Sequence, residues 1–147
     1  MELILLVGLP ASGKSTFYRE RFEGPHALVS KDLMTRSADK PRRQRRQIEA
    51  AFGEGRSVVL DNTNASRAER AEPIALARTR GVRVVAYWLR ETVADCRERN
   101  AHREGAARVP PVALYAAAKR FEPPSLEEGF DEIHVVRLGP EGFIIDP

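Results

Sequence analysis

The residues with the most specific chemistry lie in one short segment near the start of the chain. Residues 8–15 have the sequence GLPASGKS and match the pattern G-x4-G-K-[ST] in full. An apolar run precedes the segment and a helix-forming run follows it, which is the context that the pattern requires. Glycines let backbone N–H groups turn toward a polyphosphate, and the following helix presents its positive end. The segment predicts a binding site for a nucleoside triphosphate.

Each residue of this phosphate loop (residues 8–15) has an expected role. Lys14 reaches the β- and γ-phosphates, and the hydroxyl of Ser15 is a ligand for Mg²⁺. Backbone groups surround the phosphates along the rest of the loop: Gly8, Leu9, Pro10, Ala11, Ser12 and Gly13. A tight turn with an exposed lysine is the alternative, and it leaves the strand–loop–helix context unexplained. Hydrolysis, phosphoryl transfer and switching all remain open at this point.

A second candidate site follows the apolar run at residues 57–61, which ends in Asp61. An acid at the end of a strand next to a phosphate loop holds the Mg²⁺ shell, here through water. Asn62, Thr63 and Asn64 extend this segment with uncharged polar groups, and we expect them on the acceptor side. An ordinary aspartate that caps a turn is the alternative for Asp61.

Asp32 is the candidate general base. It comes just after the second predicted strand, in the sequence VSKD. A carboxylate there accepts the proton of an attacking hydroxyl, which a kinase needs and a nucleotide switch does not. Arg36 follows one helical turn later and is a candidate contact for a phosphate on the acceptor. A helix-capping aspartate and a solvated arginine are the alternatives.

Arg99 and Arg103 are spaced to share one face of a helix, so both can face one ligand. Gly105 and the sequence VPP at residues 109–111 then interrupt the helix. Paired arginines in a helix–loop–helix lid neutralise the transferring phosphoryl group and exclude water. A surface helix with internal Glu–Arg pairs is the alternative. Cys96, on the same helix, is expected to be a small core residue.

Alternating elements must position these residues. The pattern predicts strands at residues 2–7, 27–30, 57–61, 82–89 and 132–137, and an edge strand at 143–145. It predicts helices at residues 15–22, 42–52, 66–80, 92–104 and 110–121. Ser66 with Glu69, and Thr92, are the expected N-terminal caps, and Gly81 ends the third helix. This alternation predicts an α/β fold in which a parallel sheet carries helices on both faces and binds ligands beyond its strands' carboxyl ends.

The composition limits the class of protein. A chain of 147 residues fits one domain of about 100–200 residues, so we expect a single domain over residues 1–147 with a lid at about 92–120. The hydrophobic share of 42% excludes a disordered chain. Residues 3–8 form the longest apolar run, far short of the about 20 residues of a membrane span. No signal peptide is visible, and a single cysteine predicts a cytoplasmic protein.

The net charge of +3 is unevenly distributed. Residues 122–147 carry seven acidic residues and one basic residue, whereas residues 1–121 carry a net charge of +9. The densest basic stretch is Arg36–Arg46, with a net charge of +5. This asymmetry predicts a polyanionic partner. A solvated basic helix is the alternative.

These segments together resemble the 5′-kinase domain of polynucleotide kinases, and most closely the kinase half of DNA-repair kinase/phosphatase enzymes. The resemblance covers nearly the whole chain, from Gly8 to about Phe130. It rests on five segments: GLPASGKST, VSKD, VLDNTN, CRERNAHR followed by VP, and KRFEPPSLEEGFDEI. It implies a three-layer P-loop kinase fold with a central parallel sheet and a helical lid. The implied activity is ATP-dependent transfer of a γ-phosphate to a 5′-hydroxyl end of DNA or RNA.

The resemblance also implies roles for individual residues. Asp32 is the general base, and Lys14, Ser15 and Thr16 bind ATP and Mg²⁺. Asp61 acts at the Mg²⁺ and the acceptor, and the lid arginines are Arg99 and Arg103. The family often has an arginine three residues after the base, where this chain has Thr35, followed by Arg36. The chain has no D-x-D-x-T phosphatase motif, so the resemblance implies the kinase step alone.

Two other functions are compatible with the same residues. Kinases of similar design phosphorylate small metabolites or nucleotide sugars, and a nucleotide-dependent regulatory module transfers nothing. The basic stretch at residues 36–46 favours a nucleic acid 5′-OH end over a metabolite, and Asp32 with the lid arginines argues against a regulatory module. The sequence does not determine the oligomeric state.

Overall fold

A computed structural model describes residues 1–34 and 39–146 of the chain. Within these residues, six strands alternate with five α-helices. The strands are β1 (Glu2–Val7), β2 (His26–Val29), β3 (Ser57–Asp61), β4 (Arg83–Leu89), β5 (Glu132–Gly139) and β6 (Gly142–Ile145). The helices are α1 (Lys14–Arg21), α2 (Lys40–Gly53), α3 (Arg67–Thr79), α4 (Val93–Ala101) and α5 (Pro111–Arg120). Each element lies within a few residues of its predicted position.

The strands form one sheet in the order β2-β3-β1-β4-β5-β6. The first five strands are parallel, as predicted. The edge strand β6 is confirmed, but it pairs antiparallel with β5. A parallel pair needs a long crossover connection, and only two residues separate Gly139 from Gly142. A hairpin is therefore the arrangement that this short connection allows.

Helices cover both faces of the sheet, which confirms the predicted three layers. Helices α2 and α3 bury one face with Ile48, Phe52 and Ile74, and α1 buries the other face with Phe17 and Tyr18. The strand β1 lies at the centre, and its residues from 3 to 7 are almost completely buried. This explains why β1 has a continuous apolar sequence, because a central parallel strand has no solvent-facing side.

Helices α4 and α5 form a separate layer over the phosphate loop. Leu9 and Ala11 of the loop pack with Cys96, Leu114 and Ala117 of these helices. Cys96 is fully buried, as expected, and burial raises the pKa of its thiol. Helices α4 and α5, the predicted lid, are therefore joined to the loop by an apolar contact of their own.

The predicted caps are present at both helices. The Ser66 hydroxyl accepts a hydrogen bond from the Glu69 N–H at 3.2 Å, and the Thr92 hydroxyl accepts one from the Asp95 N–H at 3.1 Å. No helix in the described part of the chain is long and apolar enough to cross a bilayer.

Candidate active site

The phosphate loop connects β1 to α1 in a conformation that depends on two glycines. A Cβ atom at Gly8 would lie 2.5 Å from the Ser12 Oγ and 3.2 Å from the carbonyl oxygen of Leu89. Gly13 has a φ of 100°, in the left-handed region that side chains rarely adopt. The N–H of Gly8 donates to the Thr63 carbonyl at 3.1 Å, which ties the loop to the end of β3. The loop therefore keeps its backbone close to the position of a phosphate chain.

Lys14 folds back onto this loop. Its Nζ donates hydrogen bonds of 2.8 Å to the carbonyl oxygens of both Gly8 and Leu9. Desolvation lowers the pKa of Lys14 from its ordinary value to about 8, although the nearby Asp61 carboxylate acts in the opposite direction. A phosphate would replace two neutral carbonyl partners with a charged one, so the ammonium is available for a stronger interaction.

Ser15 and Asp61 meet beside Lys14. The Ser15 hydroxyl donates to the Asp61 Oδ2 at 2.8 Å. Burial raises the pKa of Asp61, while the bond from Ser15 and the charge of Lys14 oppose the change. Asp61 is therefore not used to cap a turn, and its carboxylate faces the phosphate loop. The two side chains place two hard oxygen atoms next to one another beside the loop, and their role as Mg²⁺ ligands stays a prediction.

The lid arginines both lie near the loop. The Arg99 Nη1 donates to the Ala11 carbonyl at 3.3 Å, and its Nη2 lies 3.6 Å from the Glu91 carboxylate. Arg103 donates to the Ala107 carbonyl at 3.1 Å and is close enough to Lys14 and Asp61 to lower the pKa of both groups. This arrangement favours the lid interpretation over a solvated surface helix.

Asn100, between the two arginines, holds the lid turn. Its side chain donates to the Val109 carbonyl at 2.8 Å and accepts from the Val109 N–H at 3.0 Å. The amide is buried, and the paired bonds link the end of α4 to the start of α5. The turn that carries Arg103 is therefore fixed by a side chain rather than by the backbone alone.

Asp32 lies on the other side of the loop, after β2. The Ser30 hydroxyl, and not Asp32, caps the short turn at Lys31–Leu33 by accepting from the Asp32 N–H at 3.3 Å. The Asp32 side chain is exposed and lines a cleft of about 220 Å³. The Asp32 carboxylate acts to raise the pKa of both Lys14 and Asp61. Asp32 therefore interacts electrostatically with groups at the phosphate loop.

The cleft is built from four separate segments, one of which runs from Asn62 to Glu69. Its lining consists of Lys31, Asp32, Gln44, Asn62, Thr63, Asn64, Glu69 and Arg120. Asn62 joins two of these segments: its Oδ1 accepts from the Lys31 N–H at 2.9 Å, and its Nδ2 donates to the Gln44 Oε1 at 2.8 Å. Asn62 thus holds the segment of Asp32 against α2 and β3.

Asn64 has a different position from the one expected. Its side chain is buried, and its Nδ2 donates to the carbonyl oxygens of Leu6, Leu60 and Asn62 at 2.7, 3.3 and 3.4 Å. Its φ of 47° places it in the left-handed region that asparagine tolerates. These contacts make Asn64 the support of the turn after β3. Because its amide nitrogen is bound by backbone carbonyls, we do not include Asn64 among the proposed acceptor contacts.

Arg36 and Thr35 lie outside the described residues. The rest of the basic stretch forms the start of α2, where Asp39 caps the helix by accepting from the Arg42 N–H at 3.1 Å. Four arginines and a lysine of α2 are exposed: Lys40, Arg42, Arg43, Arg45 and Arg46. Arg45 is paired with Glu72 at 3.2 Å. The basic residues therefore lie on the helix that also supplies Gln44 to the cleft.

A buried ion pair supports the wall of the cleft. The Arg70 Nε and Nη2 donate to both carboxylate oxygens of Glu128 at 2.8 and 3.0 Å. The Arg70 Nη1 donates to the Asn64 carbonyl at 2.8 Å, and the Glu128 carboxylate also accepts from the Ser125 N–H at 2.9 Å. Both side chains of the pair are buried. The pair links the turn after β3 to the segment that follows α5.

A larger pocket of about 490 Å³ includes one residue of the loop, Leu9, in its lining. Leu9, Trp88, Leu89 and Phe121 give it a mainly apolar lining, and Arg90 lies over the Trp88 ring at 5.2 Å. None of its lining residues also lines the Asp32 cleft. The two cavities are therefore separate, and Leu9 of the phosphate loop lines the larger one.

The comparisons with known proteins agree with this geometry. The family model described as "AAA domain" matches residues 3–124. The chain belongs to this family. Over 140 residues it is 30% identical to the bifunctional polynucleotide phosphatase/kinase of Schizosaccharomyces pombe, a match that covers 92% of this chain and 33% of the relative. The chain thus spans about a third of the length of the curated relatives that it matches.

Solved structures show the same fold. A sugar kinase from Janibacter sp. HTCC2649 has a TM-score of 0.68 at 16% identity, over 93% of this chain and 85% of that one. A fungal RNA kinase has a TM-score of 0.66 at 15% identity, over 92% of this chain and 38% of that one. The predicted α/β fold and the predicted resemblance to polynucleotide kinases are confirmed.

Sequence reasoning missed four residues of the cleft: Lys31, Gln44, Glu69 and Arg120. Gln44 lies on the buried stripe of α2 with Ile48, Ala51 and Phe52, and this spacing could have identified it as an inward-facing polar residue. Glu69 was expected only as the box partner of Ser66, but its carboxylate also accepts from the Ala65 N–H and from Arg120. Hydrogen bonds from these groups lower the pKa of Glu69, although partial desolvation acts in the opposite direction. No sequence signal marked Arg120.

Proposed function

We propose that this chain is an ATP-dependent kinase that transfers the γ-phosphate to the 5′-hydroxyl end of a polynucleotide, DNA or RNA. The observation that carries the proposal is the position of Asp32, an exposed carboxylate in a small polar cleft that adjoins the phosphate loop. A kinase needs such a group where an acceptor hydroxyl approaches the γ-phosphate. The match to a bifunctional polynucleotide phosphatase/kinase supports this choice of acceptor.

The proposed reaction divides the work among few residues. Asp32 accepts the proton of the 5′-hydroxyl while the oxygen of that hydroxyl attacks the γ-phosphorus. The bond between this phosphorus and the β–γ bridging oxygen breaks. Lys14 exchanges its two carbonyl partners for phosphate oxygens. Lys14, Arg99 and Arg103 stabilise the charge on the transferring group. The backbone of the loop, with Ser15 and Thr16, holds the remaining phosphates.

The donor set of the site fits Mg²⁺. The Ser15 hydroxyl and the Asp61 carboxylate are hard oxygen ligands, and they lie 2.8 Å apart. No group of three or more His, Cys, Asp or Glu residues in the described ranges could hold a metal by itself. This agrees with an ion held by few side chains together with water and substrate phosphates. When bound, Mg²⁺ neutralises charge on the β- and γ-phosphates.

The electrostatics of α2 favour a polynucleotide over a small acceptor. Its exposed basic residues continue from the cleft along the surface, where a strand with regular phosphates gains a contact that a metabolite does not. The cleft of about 220 Å³ is smaller than the about 300–1,000 Å³ that encloses a small-molecule ligand. We infer that the cleft holds only the 5′ end of the acceptor strand and that the rest of the strand lies outside it. The larger apolar pocket is left for the nucleoside of the donor.

A kinase of a small metabolite is the second candidate, because a sugar kinase shares the fold. A regulatory module without transfer is the third candidate, and it has no use for Asp32. A single domain over residues 1–147 and a cytoplasmic location, inferred from the single cysteine, complete the proposal.

Asp32→Asn tests the function directly. Purified wild type is incubated with ATP, Mg²⁺ and a single-stranded 5′-OH oligonucleotide of DNA or RNA, and transfer is followed by label at the 5′ end. The variant is expected to lower the turnover number by about 10²–10⁴-fold and to leave ATP affinity unchanged in calorimetry. Asp95→Asn is the matched control, because Asp95 is an exposed carboxylate on α4.

Two results would contradict the proposal. Transfer by Asp32→Asn at the wild-type rate would remove Asp32 from the reaction. Label that moves to sugars in a metabolite panel, and never to an oligonucleotide, would favour the second candidate.

A further inference from the structure

Arg120 lines the same cleft as Asp32, although it comes from the last turn of α5. Its Nε donates to the Glu69 Oε1 at 2.7 Å. The Glu69 Oε2 accepts from the Ala65 N–H at 2.8 Å, so the carboxylate that holds Arg120 is itself fixed to the backbone. The guanidinium therefore has a defined position at the edge of the cleft.

The backbone around Arg120 is fixed as well. The Glu122 N–H donates to the Ala65 carbonyl at 2.7 Å, which joins the end of α5 to the loop before α3. About half of the Arg120 side chain is exposed, at 46%. Among the described residues, the hydrogen bond found for its guanidinium is the one from Nε to Glu69, and the residue lines the cleft.

We propose that Arg120 binds the phosphate of the first internucleotide linkage of the acceptor strand. The inference rests on the proposed function, and it adds a residue that determines which acceptors are used. The planar guanidinium forms two parallel hydrogen bonds with a phosphate, which gives both orientation and affinity. Lys31 lines the same cleft and adds a second positive charge to it.

The lining of the cleft favours a contact with the first internucleotide linkage over a contact with a linkage farther along the acceptor strand. Asp32 must contact the reacting hydroxyl, and the first linkage is on the same sugar as that hydroxyl. Arg120 and Asp32 line one small cleft, whereas the arginines of α2 lie outside it.

Glu69 does not cancel this contact. Its carboxylate is bound by Arg120 on one oxygen and by the Ala65 N–H on the other. It thus orients the guanidinium through Nε and leaves the opposite edge to the phosphate. Glu69 is a positioning residue in this proposal, and Arg120 is the binding residue.

A cycle that combines Arg120→Ala with a neutral acceptor linkage tests the contact. The acceptors are a 5′-OH oligonucleotide with normal linkages, and the same oligonucleotides with one uncharged methylphosphonate at the first or at the fourth linkage. The ratio kcat/KM is measured for each acceptor with wild type, Arg120→Ala, Arg120→Lys and Arg78→Ala. Arg78 is the control, because it is paired with Asp131 far from the cleft.

Wild type is expected to lose about 10- to 100-fold in kcat/KM when the first linkage is neutral, which is the effect of one charged hydrogen bond. Arg120→Ala should lose the same factor on the normal acceptor, mainly through KM, and lose little more on the neutral one. Arg120→Lys should recover part of the loss, and the neutral fourth linkage should matter equally in all variants. Arg78→Ala should behave as wild type.

The other outcomes each decide the question. If Arg120→Ala lowers kcat/KM by the same factor on the neutral first linkage as on the normal one, the two changes act independently of one another. That result would overturn the contact and leave the proposed kinase function standing. Loss of ADP affinity or of melting temperature in Arg120→Ala would show a structural role and overturn it as well. If wild type phosphorylates no oligonucleotide, the proposed function fails, and this inference fails with it.

Discussion

The two sides of the phosphate loop are built in different ways. On the donor side, Lys14 and Ser15 belong to one continuous segment, and their nearest partners are the backbone of that segment and Asp61. On the acceptor side, the cleft takes residues from four segments that are distant in sequence. Asn62 and the Glu69–Arg120 pair connect these segments. The proposed phosphate site is therefore built from a local motif, whereas the proposed acceptor site depends on tertiary contacts.

This difference predicts that distant substitutions affect the two sides unequally. The acceptor wall depends on the segment after α5, through Arg70 and Glu128. The donor loop depends on β1, on its own glycines and on the bond from the Gly8 N–H to the Thr63 carbonyl.

Glu128→Ala should lower the free energy of unfolding by about 3–5 kcal/mol, because it leaves the Arg70 guanidinium buried without its carboxylate. Urea denaturation followed by circular dichroism measures the change. Arg70→Met combined with Glu128→Leu should recover most of that stability, since no buried charge remains. The double variant also loses the bond to the Asn64 carbonyl, so it should raise the KM for the acceptor and leave ATP affinity unchanged. Equal effects on both substrates would contradict the comparison.

The pH should affect donor binding alone. Phosphate binding favours the protonated ammonium of Lys14, whose pKa is about 8 in the free protein because of desolvation. The contribution of Lys14 to the affinity for ATP should therefore be constant below pH 7. It should fall as the pH rises through 8. The expected loss is about tenfold between pH 7 and pH 9.

Calorimetry in two buffers of different ionisation enthalpy should detect proton uptake on ATP binding near pH 8.5. Lys14→Met should remove both the uptake and the pH dependence. Oligonucleotide affinity should not change over this range, because arginine does not titrate there. A fall in oligonucleotide affinity with the same midpoint would show that the two sides share one titrating group.

Salt should affect acceptor binding far more than donor binding. Arg42 and Arg46 share one face of α2 and are exposed. Their joint replacement by alanine should weaken oligonucleotide binding several-fold and reduce the slope of log affinity against log salt by about 1.4, at 0.7 for each lost phosphate contact. Fluorescence anisotropy at four salt concentrations measures the slope. Arg78→Ala with Arg83→Ala is the matched control, and an equal reduction in that control would remove α2 from the interface.

The order of the elements and the conformation of the phosphate loop followed from the sequence alone. The pattern at residues 8–15 has a nearly fixed backbone conformation, because its glycines and its lysine act within one turn of chain. Asp61 was found because the end of a parallel strand next to this loop has one possible location. The caps at Ser66 and Thr92 are also local, and both are present.

Only the tertiary structure determined the acceptor cleft. Asn62 and Asn64 are two residues apart and equally polar, yet one joins the Asp32 segment to α2 and the other supports a buried turn. Arg120 is one of twenty arginines, and nothing in its neighbours distinguishes it. Its place beside Asp32 results from the packing of α5 against the loop before α3. A sequence motif records interactions between near neighbours, whereas a cleft assembled from distant segments is specified by the packing of the whole fold.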